Sequence, residues 1–152
     1  MKKAALMLII LGCLAGSSFG QNGQSGNIGL GIILGEPTGF SAKLWTGKTM
    51  AFDAGAAWSF VSGGFFQVHG DLLFHNFDLF QVDTGKMALY YGFGGRVKFA
   101  DITIVSVRVP VGISYQFEKT AIELFFEVVP MLDLLPATEV GISGGAGFRY
   151  YF

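Results

Sequence analysis

From Val105 to Phe117 the chain alternates with a period of two: Val105, Val107, Val109, Val111, Ile113, Tyr115 and Phe117 share one parity, and Ser106, Arg108, Pro110, Gly112, Ser114 and Gln116 the other. Successive side chains of a β-strand point to opposite faces, so one face of this segment is wholly apolar and the other polar or small. The last segment repeats the pattern in the opposite parity, with Val140, Ile142, Gly144, Ala146, Phe148, Tyr150 and Phe152 set against Glu139, Gly141, Ser143, Gly145, Gly147, Arg149 and Tyr151. A helix would scatter such residues around its whole circumference. Sheet is therefore the structure to which this chain is committed.

The same period extends backwards through Ala121 to Val129, Ala88 to Phe99, Phe65 to His75, Met50 to Phe60, Gly39 to Thr46 and Ile28 to Leu34. Turn signals separate these runs at Glu36-Pro37, Gly47-Lys48, Ser62-Gly63-Gly64, Asp83-Thr84-Gly85, Ala100-Asp101, Glu118-Lys119 and Leu135-Pro136. The count predicts an all-β, antiparallel up-and-down barrel of eight strands, most of them about 9–11 residues long, the length of a tilted bilayer crossing. Phe77 to Val82 breaks the alternation, either extending the fourth strand past a bulge or forming a longer turn.

Which face points outward follows from solvation. The chain of 152 residues is 51% hydrophobic and 15% aromatic, with 16 Phe, 23 Gly, only 14% charged residues and a mean hydropathy of +0.52. An ordinary soluble domain carries about 25% charged residues. Eight strands enclose a narrow space that side chains fill, too narrow for the large aromatics of the apolar face. The Gly, Ser, Ala and sparse charges of the other face fit it. The apolar face is therefore predicted to meet lipid, with Tyr and Phe at strand ends as girdles. Closure pairs every backbone N–H and C=O, as a hydrocarbon environment demands. A net charge of -1 and a pI near 6.1 argue against a nucleic-acid partner.

The first 20 residues have the layout of a secretory signal peptide: Lys2 and Lys3, an apolar run from Ala4 to Leu14, then small residues ending in Ser18-Phe19-Gly20. The run is too short to span a bilayer as a helix, which takes about 20 residues. Cleavage after Gly20 removes Cys13, the single cysteine, and with it disulfide and thiolate chemistry. The alternative is a lipidation site at Ile10-Leu11-Gly12-Cys13, where Cys13 would become the acylated first residue. Residues 21–26 are polar and glycine-rich, a lead-in, and residues 27–152 form the barrel.

The inward set then contains Lys43, Arg96, Lys98, Arg108 and Arg149 against Asp53, Asp71, Glu123 and Glu127, with His69 and His75. Counting along each strand places Lys43, Asp53, Glu123 and Arg149 in a lower layer, with His69, Asp71, Arg96, Arg108 and Glu127 near the middle. A stacked ion-pair network follows, because buried charges must be paired. The competing reading is catalytic: His69 and Asp71 point the same way, and a carboxylate can orient an imidazole as general base. No nucleophile is placed beside them, since Asp71 stands where a His-x-Ser deacylase has its serine. A metal site built on His69 and His75 lacks a third ligand unless Asp71 serves. No cofactor is expected. Gly29 to Gly35 has the wrong spacing for a dinucleotide loop, and Glu36-Pro37 follows it where a helix would be needed.

Glu139 to Phe152, with Phe148, Tyr150 and Phe152 in one parity, resembles the C-terminal insertion signal of outer-membrane barrels. Length and layout resemble the OmpA/OmpX-like barrels. Gly35-Glu36-Pro37-Thr38-Gly39, Leu73 to Phe80, Tyr90 to Arg96, Arg108 to Gly112 and Pro136-Ala137-Thr138 are similar to segments of a family of short uncharacterised outer-membrane barrels, over about residues 26 to 152. The resemblance implies a bacterial outer-membrane location, contact with membrane lipid and lipopolysaccharide, delivery through the barrel-assembly machinery and a monomeric state. It carries over no catalytic residue. The expectation is a non-enzymatic barrel with a structural or surface-contact role; the alternative is a lipid-modifying enzyme using His69 and Asp71. Short outward loops distinguish the chain from OmpX-like adhesins.

Overall fold

The computed structural model describes residues 26–61 and 63–152. The expected signal peptide, the lipidation alternative at Cys13 and the lead-in before Gly26 lie outside the described residues. Nine strands follow one another: β1 (Ile28–Glu36), β2 (Thr38–Trp45), β3 (Met50–Ser59), β4 (Phe65–Asn76), β5 (Lys86–Phe99), β6 (Ile104–Arg108), β7 (Val111–Gln116), β8 (Ile122–Leu135) and β9 (Glu139–Tyr151). All neighbours are antiparallel. β6 and β7 are collinear halves of one stave, each pairing with β5 on one side and β8 on the other. The sheet closes where β1 pairs with β9, Gly29 opposite Tyr151 through Glu36 opposite Gly144. The architecture is an eight-staved antiparallel barrel.

The break in the sixth stave falls at Val109-Pro110. Proline has no N–H to give to a ladder. Gly92 N–H donates to Pro110 O at 2.9 Å and receives no proton in return. Pro130, on the neighbouring β8, accepts from Val109 N–H at 3.0 Å. A strand residue turns both its polar groups to the same side, so the missing N–H of Pro130 faces the interrupted stave. The two prolines thus share one gap in the ladder. This is why β8 runs on to Leu135, whereas the alternation read from the sequence stops it at Val129.

The remaining differences are of one or two residues at strand ends. Residues 77–85 form no strand, so the broken alternation after Asn76 is a turn. Gly63 and Gly64 take positive φ, +89° and +72°, to reverse the chain between β3 and β4.

Burial alternates as the period of two requires. On β8, Glu123, Phe125, Glu127, Val129 and Met131 are buried, while Leu124, Phe126, Val128 and Leu132 are exposed on the outer face. The same division runs round the barrel: Phe40 is 60% exposed, Phe93 58% and Phe126 54%, against 1% for Lys43 and Arg149. The molecule is inverted relative to a water-soluble protein, with apolar rings outside and charges within. Phe66 stacks on Phe99 across β4 and β5, and Phe74 lies against Tyr91, so neighbouring staves also hold each other through their outward rings.

Candidate functional site: the charged interior

Three layers of polar side chains stack along the barrel axis. The first lies toward the end where β1 begins and β9 finishes. Arg149 and Glu123 are direct cross-strand partners, and Arg149 Nη1 meets Glu123 Oε1 at 3.2 Å. Its Nη2 donates to Asp53 Oδ1 at 2.7 Å, and its Nε to Ser41 Oγ at 2.7 Å. The guanidinium carbon sits 3.8 Å from the centre of the Phe125 ring, a cation–π contact. Lys43 Nζ crosses the lumen to Glu123 Oε1 at 2.8 Å, and lies 2.8 Å from His75 Nε2. Tyr151 O–H donates to the second oxygen of Glu123.

The second layer centres on Arg108. Its Nε is 3.0 Å from Asp71 Oδ2, and its Nη2 is 3.5 Å from Glu127 Oε1. Tyr90, fully buried, donates its O–H to Glu127 Oε2 at 3.1 Å. The Tyr90 ring occupies the space a side chain at Gly112 would fill, since a Cβ there would stand 2.5 Å from the ring. In the third layer Arg96 Nη2 donates to Asp133 Oδ1 at 2.9 Å and to Ser106 Oγ at 2.8 Å. Ser106 O–H in turn donates to Asp133 Oδ1 at 2.5 Å.

The lower set named from sequence, Lys43, Asp53, Glu123 and Arg149, is brought together as one group. Of the middle set, Asp71, Arg108 and Glu127 meet, whereas Arg96 belongs to the separate layer above. Lys98 stands apart: its register puts it opposite Gln67 and Ile104, it makes no ion pair among the described residues, and its ammonium lies 3.9 Å over the Phe65 ring. His75 packs against Trp45 at 4.4 Å between ring centres and is engaged by Lys43, so it does not join His69.

Asp133, Tyr90, Ser41, Ser106 and Tyr151 are the partners that the network read from sequence lacks. Asp133 would have emerged from carrying the odd parity of β8 past Pro130. The others lie on the inward parity, but parity does not report which hydroxyl reaches which charge.

His69 shares its level with Asp53 and Asp71, directly opposed residues on β3 and β4. Its Nε2 is 3.8 Å from Asp53 Oδ2. Neither ring nitrogen has a hydrogen-bond partner among the described residues. Ser106, a possible nucleophile by residue type, is committed to Arg96 and Asp133. Outside the barrel, Phe148, Tyr150 and Phe152 all face outward, with the rings of Tyr150 and Phe152 meeting edge to face at 5.1 Å.

No protein family matches this sequence, and no curated protein does. Among solved structures, the N-terminal β-barrel domain of Pseudomonas aeruginosa OprF is similar, with a TM-score of 0.61 and 12% identity, over 85% of this chain and 100% of that one. Neisserial surface protein A (NspA) is also similar, with a TM-score of 0.45 and 14% identity, over 82% of this chain and 93% of that one. At such identities the likeness is one of fold, and the fold shared with the OprF domain is the small eight-stranded outer-membrane barrel.

Proposed function

We propose that the chain is a monomeric integral protein of the bacterial outer membrane, non-enzymatic, with a lumen filled by ion pairs and a structural or surface-contact role in the envelope. The observation that carries this reading is the division of side chains: an outer face of Phe, Leu, Val and Tyr all round a closed barrel, with the buried charges paired inside. In water such an outer face would be a contiguous apolar patch far beyond what monomeric soluble proteins expose. In a bilayer it is the solvated surface.

Lipid and lipopolysaccharide are then the partners of the outer face, and Phe148 and Tyr150 on β9, with Phe152 just beyond it, the residues that the assembly machinery would read. Barrels of eight strands leave no aqueous channel, and the ion pairs that reach across the lumen support a closed interior here. The test is gel mobility of the outer-membrane fraction with and without boiling. A folded barrel resists detergent and migrates differently until heated, so a shift in that fraction is expected. Absence of a shift, with the protein in the soluble periplasm, would overturn the assignment and point to a soluble barrel around an apolar ligand.

A further inference from the structure

Asp53 and Asp71 face each other directly across β3 and β4, both inward and both at least nine-tenths buried. Like charges in that arrangement repel, and a fold tolerates them where a cation lies between or where the pair shares a proton. Arg149 takes Asp53 Oδ1 and Arg108 takes Asp71 Oδ2, yet the account does not balance. In the two layers around this level, Asp53, Asp71, Glu123 and Glu127 outnumber Lys43, Arg108 and Arg149 by one, while Arg96 and Asp133 neutralise each other above. Asp71 Oδ1 has no hydrogen-bond partner.

His69 completes the group. It is 92% buried, with both ring nitrogens unpartnered. A buried polar atom without a partner costs about 1–3 kcal/mol, so an imidazole with two such nitrogens calls for a ligand. One His69 nitrogen, one Asp53 oxygen and one Asp71 oxygen lie within 4.8 Å of one another. The separation of 3.8 Å between His69 Nε2 and Asp53 Oδ2 is too long for a hydrogen bond. It is close to that of two donors sharing one ion, which bonds of about 2.0–2.2 Å set roughly 3–4 Å apart.

The backbone is cut to fit these side chains. A Cβ at Gly55 would stand 2.4 Å from the His69 ring, and one at Gly94 would stand 2.1 Å from Asp71 Oδ1. Glycine at the two flanking positions gives the imidazole and the carboxylate the room they occupy.

We propose that Asp53, His69 and Asp71 form a buried site for a divalent first-row transition ion of the Zn²⁺ type, held by one imidazole nitrogen and two carboxylate oxygens. Such a mixed set suits a borderline ion better than a soft or an alkaline-earth one. With three protein donors, a tetrahedral ion keeps one position for water. The ion's two charges offset the one excess carboxylate and leave one positive charge, which ionisation of the bound water to hydroxide neutralises, and the ion ties β3 to β4 at mid-barrel. Because the lumen is packed, the ion enters as the barrel closes.

The test refolds the full chain into detergent with EDTA, Zn²⁺ or Co²⁺, verifies the folded form by unboiled gel mobility, and then removes free metal. Expected are stoichiometric zinc by elemental analysis, visible d–d absorption of the Co²⁺ sample, and a thermal midpoint above that of the EDTA sample. His69→Ala should lose all three, and Ser114→Ala, a buried hydroxyl outside the group, should keep them. Folded wild type without retained metal, or equal retention by His69→Ala, overturns the proposal. Should His69→Ala not refold, the wild type decides through its two histidines: Zn²⁺ must move the imidazole resonances of His69 and leave those of His75. A His69 ring that takes up a proton and ignores Zn²⁺ also overturns the site, since a bridging imidazolium then satisfies the two carboxylates. Failure of the gel shift itself concerns the barrel assignment, and is read separately.

Discussion

Arg149 and Asp53 lie 96 positions apart in the chain and meet at 2.7 Å in the barrel interior, both almost wholly buried. No run of local structure could bring them together, because β9 and β3 are separated in the sheet by β1 and β2. The guanidinium crosses the lumen, serves Asp53, Glu123 and Ser41 at once, and rests on the Phe125 ring. It is the hub that joins opposite walls.

Replacing that hub should therefore be costly. Arg149→Met leaves Asp53 and Glu123 with fewer counter-charges in a dry interior, and removing one partner of a buried pair costs about 3–5 kcal/mol. Urea unfolding in detergent micelles should show a midpoint well below that of the wild type. Arg108→Met, which abandons Asp71 and Glu127, should behave alike. An unchanged midpoint for both would sink the network as a stabilising element.

Lys43 and Glu123 give a finer measurement, because the pair meets at 2.8 Å with both side chains fully buried. In a double-mutant cycle with Lys43→Met and Glu123→Gln, the double variant should be more stable than the sum of the singles predicts, by about 0.5–3 kcal/mol. Additive losses would mean that the two groups are solvated independently.

Lys98 supplies the contrast. Its contact is with the face of Phe65, both residues half-buried, and a cation–π contact that is not fully desolvated contributes about 0.5–1 kcal/mol. Lys98→Ala should move the midpoint only slightly. A loss as large as that of Arg108→Met would place Lys98 in the network after all.

On the outer face the expectation reverses. Phe126 points away from the lumen near the middle of β8 and is 54% exposed. Phe126→Arg should destabilise the barrel in lipid vesicles by about 2–4 kcal/mol, the cost of a cation near the bilayer midplane. Full tolerance of the arginine would show that this face meets water.

Lipid chemistry and conduction should both be absent. Lipid A from wild-type and His69→Ala cells should give identical mass spectra, since the carboxylates beside His69 are not accompanied by a free nucleophile. Planar bilayers with verified insertion should stay electrically silent, since Arg149, Arg108 and Arg96 reach their partners across the interior of a narrow barrel. Discrete current steps would refute the filled lumen.

Parity along the strands made much of this legible in the sequence. Val105 to Phe117 and Glu139 to Phe152 declare their two faces without ambiguity, and the inward charges follow from them. What parity does not carry is stagger around the barrel. Whether Arg96 meets Glu127 or Asp133 depends on the register of β5, β6 and β8 together, and a shift of two residues keeps every face while changing every partner. The reach of β8 past Pro130 is illegible for a different reason. A proline normally argues against a central strand, and only the interruption of the adjacent stave at Pro110 lets it remain in one. The Asp53–His69–Asp71 group is illegible for the same reason as the stagger, because Asp53 lies on β3 and the other two on β4, and only the register sets Asp53 opposite Asp71.

The seam between β1 and β9 bears on how the molecule is made. The edge of the first strand finds its complement only in the last, so no shorter length of chain can satisfy its own backbone. A growing or partly exported polypeptide carries open ladder edges and bare aromatic rings into water, the two conditions that most favour aggregation. Pairing of the first strand with the last accordingly waits until every stave is present. Closure then acts as a check on completeness: a truncated copy is left with the open edge of β1 unpaired.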